Sequence, residues 1–385
     1  MYRKALFSLT VLFFMMGFIT CLNDILVPFL KQVFELTYLQ ASLVQFCFFG
    51  AYGLTSIPAS KLIEKMGYQK GMVIGFIITA IGCVLFYPAV TFNTYGLFLA
   101  ALFVLATGVV LLQVASNPFV SVIGPEETAS ARLTMTQAFN SFGTFVAPFF
   151  GSYLILSTLS QSTNSDAVKY PYLFIAAVLV VISIVLGRMN FPEIPKAEGN
   201  EGTWGSVLKS KNLIMGMFGI FAYVGAEVAI GSFLVNFIIE NVPMTEPEAA
   251  HYIAFYWGGA MVGRFLGIYT LKLFSPGKVL AFHSVLSIIF IVASINTTGM
   301  LAVYLMIAVG LCNSIMFPTI FTLALRGLSG SAEKASGLLA TSILGGAIIP
   351  LFTGWMADSS GLRTAFILPA VCYAYIAFYG FKSRK

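Results

Sequence analysis

The sequence predicts an all-α membrane protein: twelve transmembrane helices arranged as two pseudo-symmetric six-helix bundles. Composition is the first reason. Of 385 residues, 58% are hydrophobic and only 9% charged, whereas a soluble protein uses about 25% charged residues to cover its surface. The mean hydropathy is +0.91. Pattern is the second reason. The apolar residues come in continuous runs of about 20, enough to cross roughly 30 Å of hydrocarbon as helix, not in the alternating segments of about 10 that a membrane β-barrel uses. The third reason is that the second half repeats features of the first.

Runs bounded by charge, proline or glycine clusters place the first six helices at about 6–30, 40–63, 71–92, 95–122, 131–158 and 170–190. The second six follow at about 211–240, 249–274, 279–297, 300–326, 333–357 and 363–381. The division is therefore an N-terminal bundle over 1–190, a cytoplasmic linker over 191–210 and a C-terminal bundle over 211–385. The linker holds two prolines, three glutamates, three glycines, Lys196 and Lys209. Arg3-Lys4 before an apolar run resembles a signal peptide, but the run passes 20 residues without a small-residue cleavage site, so a retained first helix is expected.

Basic residues orient this arrangement. With the N-terminus in the cytoplasm, all but Lys31, Lys169 and Arg363 of the 21 lysines and arginines fall on the cytoplasmic side, as the positive-inside rule requires. Both termini are expected inside.

The repeat is clearest in the fourth and tenth helices. Gln113 precedes Pro118 by five residues, and Asn313 precedes Pro318 by five. Pro118 lies 30 residues before Pro148, and Pro318 lies 32 before Pro350, with Gly151 and Gly354 following. Such internal repeats surround midplane sites in many transporters.

Polar residues in the spans are the candidates for function, because an ionised carboxylate in the bilayer costs roughly 2.5–3.5 kcal/mol. Asp24 in helix 1 and Glu227 in helix 7 are the two acids outside connectors and helix ends, and no intramembrane lysine or arginine is expected to neutralise them. The amides Asn23, Gln113, Asn117, Gln137, Asn140, Asn236 and Asn313 fall on helices 1, 4, 5, 7 and 10. Carboxylates and amides suit a ligand with many hydroxyls, each of which donates and accepts. Trp257, with Tyr256 beside it, offers a ring face to a sugar. Asn117-Pro118 and Asn313 to Pro318 mark kinks that free carbonyls.

Other classes are excluded or disfavoured. The five cysteines sit in apolar runs without metal-like spacing and read as small core hydrophobes. No Gly-x4-Gly-Lys-Ser/Thr loop is present, so ATP is not the energy source. No nucleophile–base pairing stands out, no cofactor is implied, and an enzyme is not expected. Membrane lipid and a small-molecule sugar are the expected partners, with no nucleic acid, and a monomer is the default.

Several segments carry a resemblance. The loop Lys61-Leu-Ile-Glu64-Lys65-Met-Gly67-Tyr-Gln-Lys70 resembles the basic loop between helices 2 and 3 of the major facilitator superfamily, whose two bundles rock about a central cavity. Phe18-Ile-Thr-Cys-Leu-Asn23-Asp24-Ile-Leu-Val-Pro28, Gln113-Val-Ala-Ser-Asn117-Pro118-Phe119, Gln137-Ala-Phe-Asn140-Ser-Phe-Gly143 and Tyr223-Val-Gly-Ala-Glu227 together resemble its fucose–proton symporter family, including glucose/galactose permeases. The resemblance implies that Asp24 binds sugar and takes part in coupling, and that Asn140 lines the same cavity. Fucose symporters carry a proton-coupling glutamate where this chain has Gln113, and tend to carry glutamine where it has Glu227. Both departures point to the glucose/galactose branch.

The expectation is a hexose importer in the bacterial inner membrane. Its substrate contacts are Asp24, Gln137, Asn140, Tyr223, Glu227, Trp257 and Asn313. Its coupling ion is sodium on oxygens of Asp24 and Gln113 with Asn23 and Asn117, alternatively a proton on Asp24 or Glu227. The competing readings are a proton-coupled hexose or fucose symporter, a drug or metabolite exporter, and a passive channel or receptor.

Overall fold

The computed structural model describes the chain apart from Met1 and residues 35–37, 152–168, 193–202 and 384–385. It also leaves out the side chains of residues 2–5, 23–33, 38–42, 45, 148, 151 and 246–247. Among the described residues there are twelve long helical segments: α1 Tyr2–Val33, α2 Tyr38–Met66, α3 Tyr68–Thr91, α4 Tyr95–Val122, α5 Ala129–Gly151, α6 Lys169–Gly187, α7 Lys211–Asn241, α8 Glu246–Leu273, α9 Pro276–Ile295, α10 Gly299–Ala324, α11 Ser329–Ser360 and α12 Leu362–Lys382. Eight of them (α3, α4, α6, α7 and α9 to α12) are long and apolar enough to cross a membrane. The expected end of the fifth helix and half of the linker lie outside the described residues. A short helix over Trp204–Lys209 occupies the end of that linker, where the hydroxyl of Thr203 accepts from the backbone N–H of Ser206 at 3.3 Å.

The helices form two compact units. One comprises Met1–Ile123, Phe139–Lys196 and Gly330–Thr341; the other comprises Gly124–Ala138, Ala197–Ser329 and Ser342–Lys385. The first turns of α5 and of α11 thus each belong to a unit different from the rest of their helix.

Small residues decide how closely helices pack, because lipid supplies no hydrophobic force between them and close van der Waals contact must do the work. In the first unit a Cβ on Gly143 of α5 would collide with the backbone carbonyl of Phe14 in α1, and one on Gly82 of α3 would lie 2.5 Å from the backbone nitrogen of Leu105 in α4. Phe86 and Tyr172 fill the core behind them with ring centroids 4.3 Å apart. The first turns of α11 are held in the same unit by polar contacts. Lys334 Nζ lies 2.9 Å from Glu64 Oε1, and the Tyr68 hydroxyl donates to Glu333 Oε2 at 3.1 Å.

In the second unit α8 and α10 are in backbone contact. A Cβ on Gly259 would lie 3.2 Å from the nitrogen of Leu311, one on Gly263 would lie 2.6 Å from Ser314 Oγ, and one on Gly310 would collide with the carbonyl of Tyr256. This packing carries a correction to the charge reading. Arg264 lies nine residues before the end of a continuous α8, not in a connector, because the Gly259–Gly263–Gly267 spacing keeps the helix packed on α10 through that turn. The second unit therefore carries a half-buried cation within a helix.

Candidate functional site

Each unit places one side-chain amide at the same point of its proline-containing helix, and each amide meets a tyrosine. In the first unit Gln113 of α4 donates from Nε2 to the Tyr52 hydroxyl of α2 at 2.9 Å. In the second, Asn313 of α10 donates from Nδ2 to the Tyr256 hydroxyl of α8 at 2.8 Å. Each amide precedes its proline, Pro118 or Pro318, by five residues. The repeat seen in sequence thus extends to a repeated hydrogen bond between helices 4 and 2 and between helices 10 and 8.

The prolines have a second effect. Proline has no N–H, so the carbonyl four residues earlier loses its helical partner, and inside a membrane that carbonyl must be satisfied from within the protein. The carbonyl stranded by Pro118 belongs to Val114 and accepts from the Ser336 hydroxyl of α11 at 3.0 Å. The carbonyl stranded by Pro318 belongs to Ser314 and accepts from Arg264 Nε of α8 at 3.2 Å. The kink reading expected these carbonyls to be free, and both instead accept from a side chain of another helix. Here α10 is interrupted at Ser314 and Ile315, and the neighbouring Cys312 carbonyl accepts from His283 Nδ1 of α9 at 3.1 Å.

Around this break the second unit builds a polar chain. Tyr223 donates to Glu227 Oε1 at 2.7 Å. The Tyr256 hydroxyl donates to the backbone carbonyl of Glu227 at 3.2 Å while accepting from Asn313. The Tyr373 hydroxyl of α12 donates to Asn313 Oδ1 at 2.6 Å. Tyr223, Tyr256, Tyr373 and Asn313 are buried, and Glu227 is half-buried. Both ends of the Asn313 amide are therefore engaged by protein. Trp257 is 40% exposed, with its ring edge-to-face against Tyr256 at 5.2 Å and its Cζ2 3.0 Å from where a Cβ on Gly231 would lie. Glycine at 231 is what lets the indole lie against α7 one turn beyond Glu227.

The remaining expected site residues are placed as follows. Asn140 of α5 is half-buried and donates from Nδ2 to the Phe13 carbonyl of α1 at 3.0 Å. Asn117 and Gln137 are buried, the first beside Pro118 in α4 and the second in the segment of α5 that belongs to the second unit. Asn23 and Asp24 lie on the helical backbone of α1, but their side chains are outside those described. Sequence reasoning passed over Tyr52, Tyr373, Ser336 and the contact of Arg264 with α10. Aligning helix 2 with helix 8 by the same repeat brings out Tyr52 and Tyr256. Arg264 falls inside the apolar run assigned to helix 8.

Residues 6–343 match the Major Facilitator Superfamily. The chain belongs to that superfamily. It is 51% identical over 391 residues to the "Glucose/galactose transporter" of Brucella abortus, covering 100% of this chain and 95% of that one. It is 33% identical to the "L-fucose-proton symporter" of Escherichia coli K12, covering 95% of this chain and 90% of that one. The crystal structure of FucP, described as a Major Facilitator Superfamily transporter in the outward conformation, superposes with a TM-score of 0.92 at 31% identity, over 100% of this chain and 99% of that one. The all-α membrane transporter fold of two six-helix repeats is thereby shown, and the chain is a transporter and not an enzyme.

Proposed function

We propose that the chain is a secondary active importer of a hexose of the glucose/galactose type, driven by sodium through alternating access. The observation that carries the reading is Gln113. At the position where the resemblance puts a titratable glutamate, this chain holds an amide fixed by Tyr52. An amide cannot release a proton, but its oxygen can ligate a cation. Asp24 supplies the negative charge, and Asn23 and Asn117 are the further oxygen donors in this proposal. On the substrate side, Glu227 and Tyr223 present a carboxylate and a hydroxyl to sugar hydroxyls, and Trp257 presents an indole face. Asn140 and Gln137 complete the proposed set, while Asn313, whose amide is engaged at both ends by Tyr256 and Tyr373, supports the site without reaching the sugar. The identity to a relative named for glucose and galactose along the whole chain supports the hexose.

A proton on Asp24 or Glu227 is the second reading, supported by the relative named as an L-fucose-proton symporter. Inward movement of either ion across the inner membrane draws about 2.3 kcal/mol per 100 mV for each charge. In this proposal both termini are cytoplasmic, on the side where the sequence reading collects the basic residues.

Asp24→Asn tests the shared part of the account. It should abolish concentrative uptake of D-glucose or D-galactose while leaving sugar counterflow measurable. Full accumulation by this variant would overturn the assignment of Asp24.

A further inference from the structure

Arg264 is a half-buried charged side chain within α8, nine residues before the end of the helix. Its Nε lies 3.2 Å from the carbonyl of Ser314, the one that Pro318 strands. The Gly259–Gly263–Gly267 stripe brings α8 near enough for that contact: a Cβ on Gly263 would lie 2.7 Å from the Leu311 carbonyl and 2.6 Å from Ser314 Oγ. One residue before Ser314, Asn313 is gripped by Tyr256 and Tyr373, and Tyr256 continues to the backbone of Glu227. The direction in which α10 bends at Ser314 therefore sets where Asn313, Tyr256 and the Glu227 turn of α7 stand.

We propose that Arg264 is a positioning residue: its guanidinium replaces the backbone N–H that Pro318 lacks, and so fixes the bend of α10 that aligns the Asn313–Tyr256–Glu227 chain. The first unit solves the same problem with a neutral donor, Ser336 on Val114. The second uses a cation, which bonds a carbonyl more strongly than a neutral donor does. This inference rests on the hexose reading only for its transport readout.

The test is a double-variant cycle. Arg264→Met removes the donor, Pro318→Ala restores the backbone N–H, and both are made singly and together. Melting midpoints in detergent and the KM and Vmax of D-galactose uptake are measured for each. Arg264→Met should lower the melting midpoint and raise KM about tenfold, the loss expected for one hydrogen bond from a charged group, with Vmax little changed. Adding Pro318→Ala should bring back most of both losses, because the restored backbone N–H then donates to the carbonyl of Ser314. Strictly additive effects would overturn the proposal, since residues sharing one carbonyl must couple. A fall in the melting midpoint with KM unchanged would reduce Arg264 to a structural role and also overturn it. If Arg264→Met does not fold, the double variant must fold, and failure of both is contrary to the proposal. A wild-type protein that does not carry hexose would sink the functional reading instead, while the melting cycle would still decide the cap.

Discussion

The side-chain amide of Asn313 donates to the hydroxyl of Tyr256 at 2.8 Å, and the counterpart residues Gln113 and Tyr52 make the same bond at 2.9 Å. An interhelical bond repeated between corresponding helices of the two halves is more than packing. It ties the proline-containing helix of each half to the helix two earlier, five residues ahead of the proline. The environments differ, since Asn313 is fully buried and Gln113 is half-buried.

That difference gives the first prediction. Tyr256→Phe leaves the buried Asn313 amide without its acceptor and should cost about 1–3 kcal/mol. Tyr52→Phe should cost less, because the half-buried Gln113 has other routes to a partner. Chemical or thermal unfolding of the two purified variants checks the order, and an equal or reversed order would refute it.

The α8–α10 contact gives a second. A Cβ on Gly310 collides with the Tyr256 carbonyl, whereas one on Gly258 meets open space. Gly310→Ala should therefore destabilise by about 1–3 kcal/mol through overpacking. Gly258→Ala should be neutral or stabilising by roughly 0.5–1 kcal/mol, as expected for a helix interior freed of glycine. Melting midpoints of the two variants, made in parallel, separate these outcomes.

A third concerns the first turns of α11. Lys334 is buried and paired with Glu64 at 2.9 Å, and Glu333 accepts from Tyr68. Lys334→Gln should cost about 1 kcal/mol, the partial exposure of Glu64 keeping the loss near that of a surface pair. The exchange Glu64→Lys with Lys334→Glu should return most of it.

The extent to which the fold was legible follows from what each signal measures. Hydrophobic run length located the helices within a few residues, for example 211–240 against Lys211–Asn241 and 95–122 against Tyr95–Val122, because bilayer thickness fixes span length. The Gln113–Pro118 and Asn313–Pro318 spacing revealed the repeat because both members of each pair lie on one helix. Contacts between helices far apart in sequence were not legible. Nothing local tells that Ser336 reaches Val114, or that the α5 turn before Phe139 belongs with the C-terminal helices. The run assigned to helix 8 already enclosed Arg264, but the carbonyl it meets was not legible, because Ser314 lies 50 residues further along the chain. The side chain of Asp24 lies outside the described residues, so its role rests on sequence alone.

The most direct measurement of the central claim is D-glucose uptake into proteoliposomes at clamped pH, with and without an inward sodium gradient. The account predicts saturable accumulation that depends on the sodium gradient and is lost in Asp24→Asn. Accumulation only under a pH gradient would make Asp24 or Glu227 a proton carrier and contradict the reading of Gln113, and the absence of saturable hexose uptake would contradict the account as a whole.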